Sequence, residues 1–125
     1  MMLSSAVVDI LLHDASSKVL ATTGPSGINA VPVSSIRCID TMVWLFDYFM
    51  QKTRINVREN PFVSLVAWNG LDGYQIKGLI QYHDSGAVFD KAVSWVAQQH
   101  PSRTLRGVLL LEPQEVQSIS IADRI

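Results

Sequence analysis

Met50-Gln51-Lys52-Thr53-Arg54-Ile55-Asn56-Val57-Arg58-Glu59-Asn60-Pro61 lies between two strongly apolar runs, 42–46 and 62–68. The stretch reads as a short helix linking two strands, with Pro61 marking its end. Its opening turn carries Lys52 and Arg54 and no acid. The amino end of a helix bears partial positive charge and prefers anions, so a basic start has the wrong sign. It becomes reasonable if a phosphate sits there, held by free backbone N–H groups, the Thr53 hydroxyl and the Lys52 ammonium. A solvated basic helix with no ligand is the competing reading of the same charges.

Working outward, residues 4–14 have apolar positions at helical spacing (Ala6, Val7, Ile10, Leu11), with Ser4 or Ser5 placed to cap. Residues 18–23 read as a strand and Gly24-Pro25-Ser26-Gly27 as a turn. Residues 28–39 then form a second strand, and the first two make a hairpin. Asp40-Thr41 is another tight turn, and 42–49 is the third strand. That strand is apolar on both faces: Met42, Trp44, Phe46 and Tyr48 on one, Val43, Leu45 and Phe49 on the other. A strand of a half-solvated sheet alternates, so both faces of this one need cover. The core supplies one cover, and a ligand or a second subunit is expected to supply the other.

Beyond the basic helix, 62–68 is a fourth strand. Residues 73–83 alternate cleanly, with Tyr74, Ile76, Gly78, Ile80 and Tyr82 on the buried side. Residues 87–99 form a helix burying Val88, Ala92, Trp95 and Val96, and 105–111 is the last long strand. The tail, 116–125, is read as a further short strand or as a segment lying across a neighbour. This order, dominated by antiparallel hairpins, argues against a doubly wound nucleotide fold. It favours a small barrel with helices at its ends, because closure removes exposed edges.

The chain has 125 residues and a net charge of -1. One domain, 1–125, is expected, and nothing in the bulk charge calls for nucleic acid or an anionic membrane. Cys38 is the only cysteine, which excludes a disulfide within the chain and fits a reducing compartment. The apolar stretch 6–12 is too short to span a membrane, is interrupted by Asp9, and lacks a signal-peptide pattern. A soluble cytoplasmic protein is therefore expected.

Chemistry-bearing side chains are sparse. His13, His83 and His100 are far apart and show no metal-ligand spacing, so no metal site is expected. Neither a nucleophile elbow nor a Walker loop is present. Asp40 and Asp47 sit at opposite ends of one strand, too far apart for an acid–base pair. Cys38 has no evident base and reads as a buried apolar thiol. Trp44, Trp68 and Trp95 read as core or interface. A chain so equipped can still run chemistry through a cofactor, which the protein positions.

Three local matches, in order, carry a resemblance. They are Val19-Leu20-Ala21-Thr22-Thr23-Gly24-Pro25-Ser26-Gly27 followed by Ala30-Val31-Pro32-Val33; the Lys52 to Pro61 helix; and Gly73-Tyr74-Gln75-Ile76-Lys77-Gly78. Over residues 17–116 the chain resembles the FMN-binding split barrels related to pyridoxamine 5'-phosphate oxidase. Met50-x-Lys52-Thr53 is particularly similar to the small FMN-binding proteins of that family. The resemblance implies a mainly β protein with α-helices, a six-stranded antiparallel split β-barrel of Greek-key-like order with short flanking helices. It implies FMN as cofactor, with Lys52 and Thr53 on the phosphate and Gln51 beside them. Pro32, Val33 and Ser34 would line the isoalloxazine, and Phe46 and Asp47 would lie along the ribityl chain and phosphate approach. A homodimer with the flavin in the groove between subunits follows from the same source.

The implied activity is that of a small FMN-dependent oxidoreductase working with a small-molecule or protein redox partner. A non-enzymatic electron carrier is the alternative. One departure motivates a third reading. In the turn Asp47-Tyr48-Phe49-Met50-Gln51, Asp47 would repel a nearby phosphate, and Gln51 brings one charge fewer than the arginine frequent there. A deazaflavin-binding or cofactor-free dimer with a structural or sensing role fits that turn. A vitamin B6 substrate is not supported, because no matching C-terminal Arg/His set is present.

Overall fold

Residues 33–35 join the two edges of one sheet. In a computed structural model, which describes residues 1–121, the seven strands run antiparallel in the order β2-β1-β5-β6-β7-β4-β3. They are β1 (Ser17–Thr22), β2 (Asn29–Pro32), β3 (Ile36–Ile39), β4 (Met42–Asp47), β5 (Phe62–Asn69), β6 (Asp72–His83) and β7 (Gly107–Ser118). β2 and β3 are neighbours in sequence but lie at opposite edges of the sheet. An extended link from Pro32 to Ile36 spans at most about 14 Å. The sheet must therefore curl until its edges nearly meet, which makes a split barrel rather than a closed one.

The seventh strand corrects the expected six. Residues 28–39 do not form one strand: Pro32 ends β2, residues 33–35 cross the gap, and β3 starts at Ile36. Proline cannot donate to a ladder and belongs at an edge or a break. The last strand is also longer than expected and takes in residues 116–118 of the tail. Ile119 and Ile121 continue beside β6, their N–H groups donating to the Gly73 and Leu71 carbonyls at 2.9 and 3.0 Å. Residues 122–125 of the expected tail segment lie outside the described residues. Pro113 is accommodated inside β7 by a bulge. Lys77 pairs with Glu115 and Gly78 with Pro113, leaving Gln114 as the extra residue. A Cβ on Gly78 would overlap the Glu112 carbonyl, so only glycine fits opposite the bulge.

Alternation sorts the side chains. On β4, Val43 and Leu45 point inward and face Leu111 and Leu109 of β7. With Leu20, Leu65 and Ile76 they form the fully buried barrel core. Helix α1 (Ser5–Leu12) adds Val7 and Leu11 to it. The Ser4 side chain caps this helix, accepting the Val7 N–H at 3.4 Å.

On the outer face, Trp44 and Phe46 of β4 lie opposite Leu110 and Val108. Helix α3 (Gly86–Gln99) lays Ala92 and Val96 over them, with Val88 and Trp95 at the margin. Phe46 stacks on Trp95 with ring centres 4.7 Å apart. Each large side chain buried here contributes about 1.5–3 kcal/mol. Much of the second face of β4 is therefore covered by the chain's own helix, an element its doubly apolar pattern did not identify. Phe49 is not part of that strand: β4 ends at Asp47, and Phe49 is 88 % exposed.

Candidate functional site

Helix α2 (Gln51–Glu59) is held at both ends of its first turn. Met50 caps it without a side-chain hydrogen bond, and no acid lies in the first turn. The missing anion comes from upstream. Asp47, fully buried, accepts the Met50 N–H on Oδ1 at 2.6 Å. Its Oδ2 accepts the Tyr82 hydroxyl at 2.8 Å. The Asp47 carbonyl accepts the Arg106 N–H at 2.9 Å. Asp-x-x-Met is thus a local side-chain turn that delivers a carboxylate to the positive end of α2. Burial pushes Tyr82 up to about 12, helped by the hydrogen bond to Asp47 and its charge and opposed by Arg54.

The inner face of α2 is committed to the β1–β2 hairpin. Thr53, fully buried, accepts from Asn29 Nδ2 at 3.1 Å. Asn56, also fully buried, donates to Thr22 Oγ1 (3.1 Å) and the Gly27 carbonyl (2.9 Å) and accepts the Ser26 N–H (2.9 Å). A Cβ on Gly24 would come within 2.9 Å of the Asn56 backbone, so the turn needs its glycine there.

Beside the start of α2 opens a cavity of about 700 Å³. Its walls include Pro32 and Ser34 from the crossing between the sheet edges, Phe46 and Tyr48 from β4 and its end, and Met50 from the helix cap. The loop after α3 supplies Arg103 and Arg106. The volume falls within the range of sites for small molecules and cofactors. Among the described residues, the lining contains no His, Cys or carboxylate side chain.

Of the eight expected site residues, the structure brings Pro32, Ser34 and Phe46 to this cavity. Val33 sits behind them in the core, its N–H donating to the Lys18 carbonyl at 3.0 Å. Gln51 and Lys52 are exposed at the first turn of α2, next to Met50. The side chains of Asp47 and Thr53 are buried and already partnered, so both lie under the site as supports. Tyr48, Arg103 and Arg106 were missed by the sequence reading. The available signal was Ser102-Arg103-Thr104-Leu105-Arg106, a loop with two arginines and no acid.

A second, shallower groove of about 530 Å³ lies on another face, walled by Ile28, Phe62 and Val63 with Lys77 and Glu115 beside them. Ile28 is 92 % exposed there. Cys38 is half-buried against the core, and burial pushes its thiol up. Among the described residues, no three His, Cys, Asp or Glu side chains converge on one point. No described helix is long and apolar enough to cross a membrane.

Comparison with known proteins places this geometry. A family model described as pyridoxamine 5'-phosphate oxidase matches residues 5–120. An uncharacterized protein of Methanocaldococcus jannaschii is 29 % identical over 105 residues, 80 % of this chain and 70 % of that one. Among solved structures, HupZ of Group A Streptococcus superposes with a TM-score of 0.81 at 21 % identity, covering 96 % of each chain. An FMN-binding protein from Syntrophomonas wolfei superposes with a TM-score of 0.75 at 14 % identity, covering 92 % of this chain and 84 % of that one.

Proposed function

Since the chain belongs to the pyridoxamine 5'-phosphate oxidase family, we propose that it is a flavoprotein that holds FMN in the cavity beside α2 and acts as a small oxidoreductase. The observation that carries this reading is the meeting of Pro32, Ser34 and Phe46 on one cavity next to the exposed first turn of α2. The walls fit the group. An aromatic and aliphatic surface suits a planar ring system, and cationic and hydroxyl side chains at the rim suit its polar tail. The FMN-binding protein from Syntrophomonas wolfei, which has this fold, supports the choice of cofactor.

In this reading Pro32 and Ser34 bound one side of the ring and Phe46 its base. Lys52 and Gln51 hold the phosphate, together with the backbone N–H groups of the first turn of α2. Asp47 and Tyr82 fix where that turn begins, and Thr53 and Asn56 fix its inner face to the hairpin. Bound FMN supplies two-electron or one-electron transfer. The side chains around it bind, orient and exclude water, and none is required as an acid or base. That lining equally suits an electron carrier, and a homodimer is part of the proposal. Ile28 and Phe62, exposed together beside the second groove, offer an apolar surface for a second copy.

The test is the visible absorption spectrum of the purified protein, with the released molecule identified by mass. FMN in stoichiometric amount supports the reading, and a protein that neither carries nor takes up FMN ends it. Anaerobic reduction by NADH or NADPH, with turnover of an added acceptor, separates the enzyme from the carrier. Sedimentation measures the dimer.

A further inference from the structure

The geometry points to an anion subsite formed by Arg103 and Arg106 in the wall of the cavity, adding to the exposed first turn of α2 and built to take a phosphate or carboxylate of the cavity's occupants. It rests on the proposed function only for the identity of the main occupant. Both arginines line the cavity, and both are anchored. Arg103 donates from Nη1 to Ser35 Oγ at 3.1 Å and lies over the Tyr48 ring, 5.1 Å from its centre. Arg106 donates from Nε to the Tyr48 carbonyl at 3.1 Å and lies 5.8 Å from the Phe49 ring centre. Ser35 is itself buried and also receives the Tyr48 hydroxyl at 3.3 Å.

Each guanidinium has thus used one donor to fix its position and keeps the rest for a ligand. Neither is neutralised: the one ion pair among the described residues joins Arg58 to Asp84. A surface arginine without an acid is ordinary. Two that converge on one cavity, each tied to the same tyrosine, and with no carboxylate in the lining among the described residues, make a preorganised site for an oxyanion. The aromatic rings beneath them suit a ligand whose anionic group is attached to a planar body.

Two sources share this chemistry, the phosphate of the cofactor and an anionic group on a second ligand, and one experiment separates them. Affinities for FMN and for riboflavin, which lacks the phosphate, are measured by flavin fluorescence on wild type, R103Q, R106Q and the double variant. Pyrophosphate is titrated into the flavin-free and FMN-loaded proteins by calorimetry. If the cofactor phosphate sits here, the double variant loses FMN affinity by about tenfold or more, the scale of a charged hydrogen bond, while riboflavin affinity holds. If a second ligand supplies the anion, the FMN to riboflavin ratio is unchanged. FMN-loaded wild type then binds pyrophosphate, and the double variant does not. The inference is overturned if the substitutions change neither the ratio nor pyrophosphate binding, or if they weaken both flavins equally with pyrophosphate binding intact. R106K and R103K retain charge and should keep most of the effect, which separates a lost anion contact from a disturbed fold. If wild type binds pyrophosphate through these arginines but takes up no flavin, the FMN reading fails and the anion subsite stands.

Discussion

The Tyr82 hydroxyl donates to the buried Asp47 carboxylate at 2.8 Å, tying the middle of the sheet to the residue that starts α2. Tyr82 is pushed up to about 12 from an ordinary 10.0, by burial first and by Asp47 second. The folded protein therefore holds this proton more tightly than the unfolded chain does. Stability from this group is complete below about pH 10 and is lost as pH rises toward 12. Urea midpoints measured across that window should fall, and the fall should be smaller in Tyr82→Phe. At pH 7 the same substitution should cost about 1–3 kcal/mol, because one buried carboxylate oxygen loses its donor.

Asn56 joins α2 to the end of β1 by one hydrogen bond and to the turn that follows by two, all from a fully buried side chain. Asn56→Ala should destabilise by about 3 kcal/mol, since it strands the Ser26 N–H and the Gly27 carbonyl away from a partner. Hydrogen exchange at Ser26 should rise more than at β6 amides. An unchanged rate there would remove Asn56 as the tether.

Gly78→Ala should destabilise by about 1–3 kcal/mol through overlap with the Glu112 carbonyl at the bulge. Denaturant unfolding checks the magnitude. Lys77→Ala, one residue away and exposed, should lie within about 0.5 kcal/mol of wild type.

Lys52→Ala should weaken FMN by about 1.5–3 kcal/mol, the scale of a hydrogen bond to a charged group. Apo stability should change little, because Lys52 is exposed and makes no ion pair among the described residues. Flavin fluorescence titration reads the affinity. An unchanged value would dissociate the start of α2 from the phosphate.

Much of the fold was legible where one local rule decided the outcome. β6 alternates because one face meets the barrel core, so Ile76, Gly78 and Ile80 could be read as buried from period alone. The helix over Ala92, Trp95 and Val96 was legible for the same reason. The break at residues 33–35 was not. Ile28, Val31, Val33 and Ile36 read as one β run, and only Pro32 marks the step from one sheet edge to the other. The doubly apolar β4 correctly demanded two covers. Which element covers the outer face is a tertiary fact, settled by where α3 lands after β6. Of the residues implied by the family resemblance, Pro32, Ser34 and Phe46 line the cavity. Arg103 reaches Ser35 from 68 positions away, a contact without periodicity to announce it. Thr53 looked like a ligand group by type and proved to be a buried tie to Asn29.

The gap between β2 and β3 also governs how the cylinder shuts. β2 pairs only with β1, and β3 only with β4, so no described strand zips the two margins together. The covalent bridge of residues 33–35 keeps them close without locking them. Pro32 and Ser34, at this seam, are also walls of the cavity. A molecule seated there lies along the open joint and acts as a clasp between the margins. Loading the cavity and fastening the cylinder are then one event, and the melting temperature should climb with the concentration of whatever fills it.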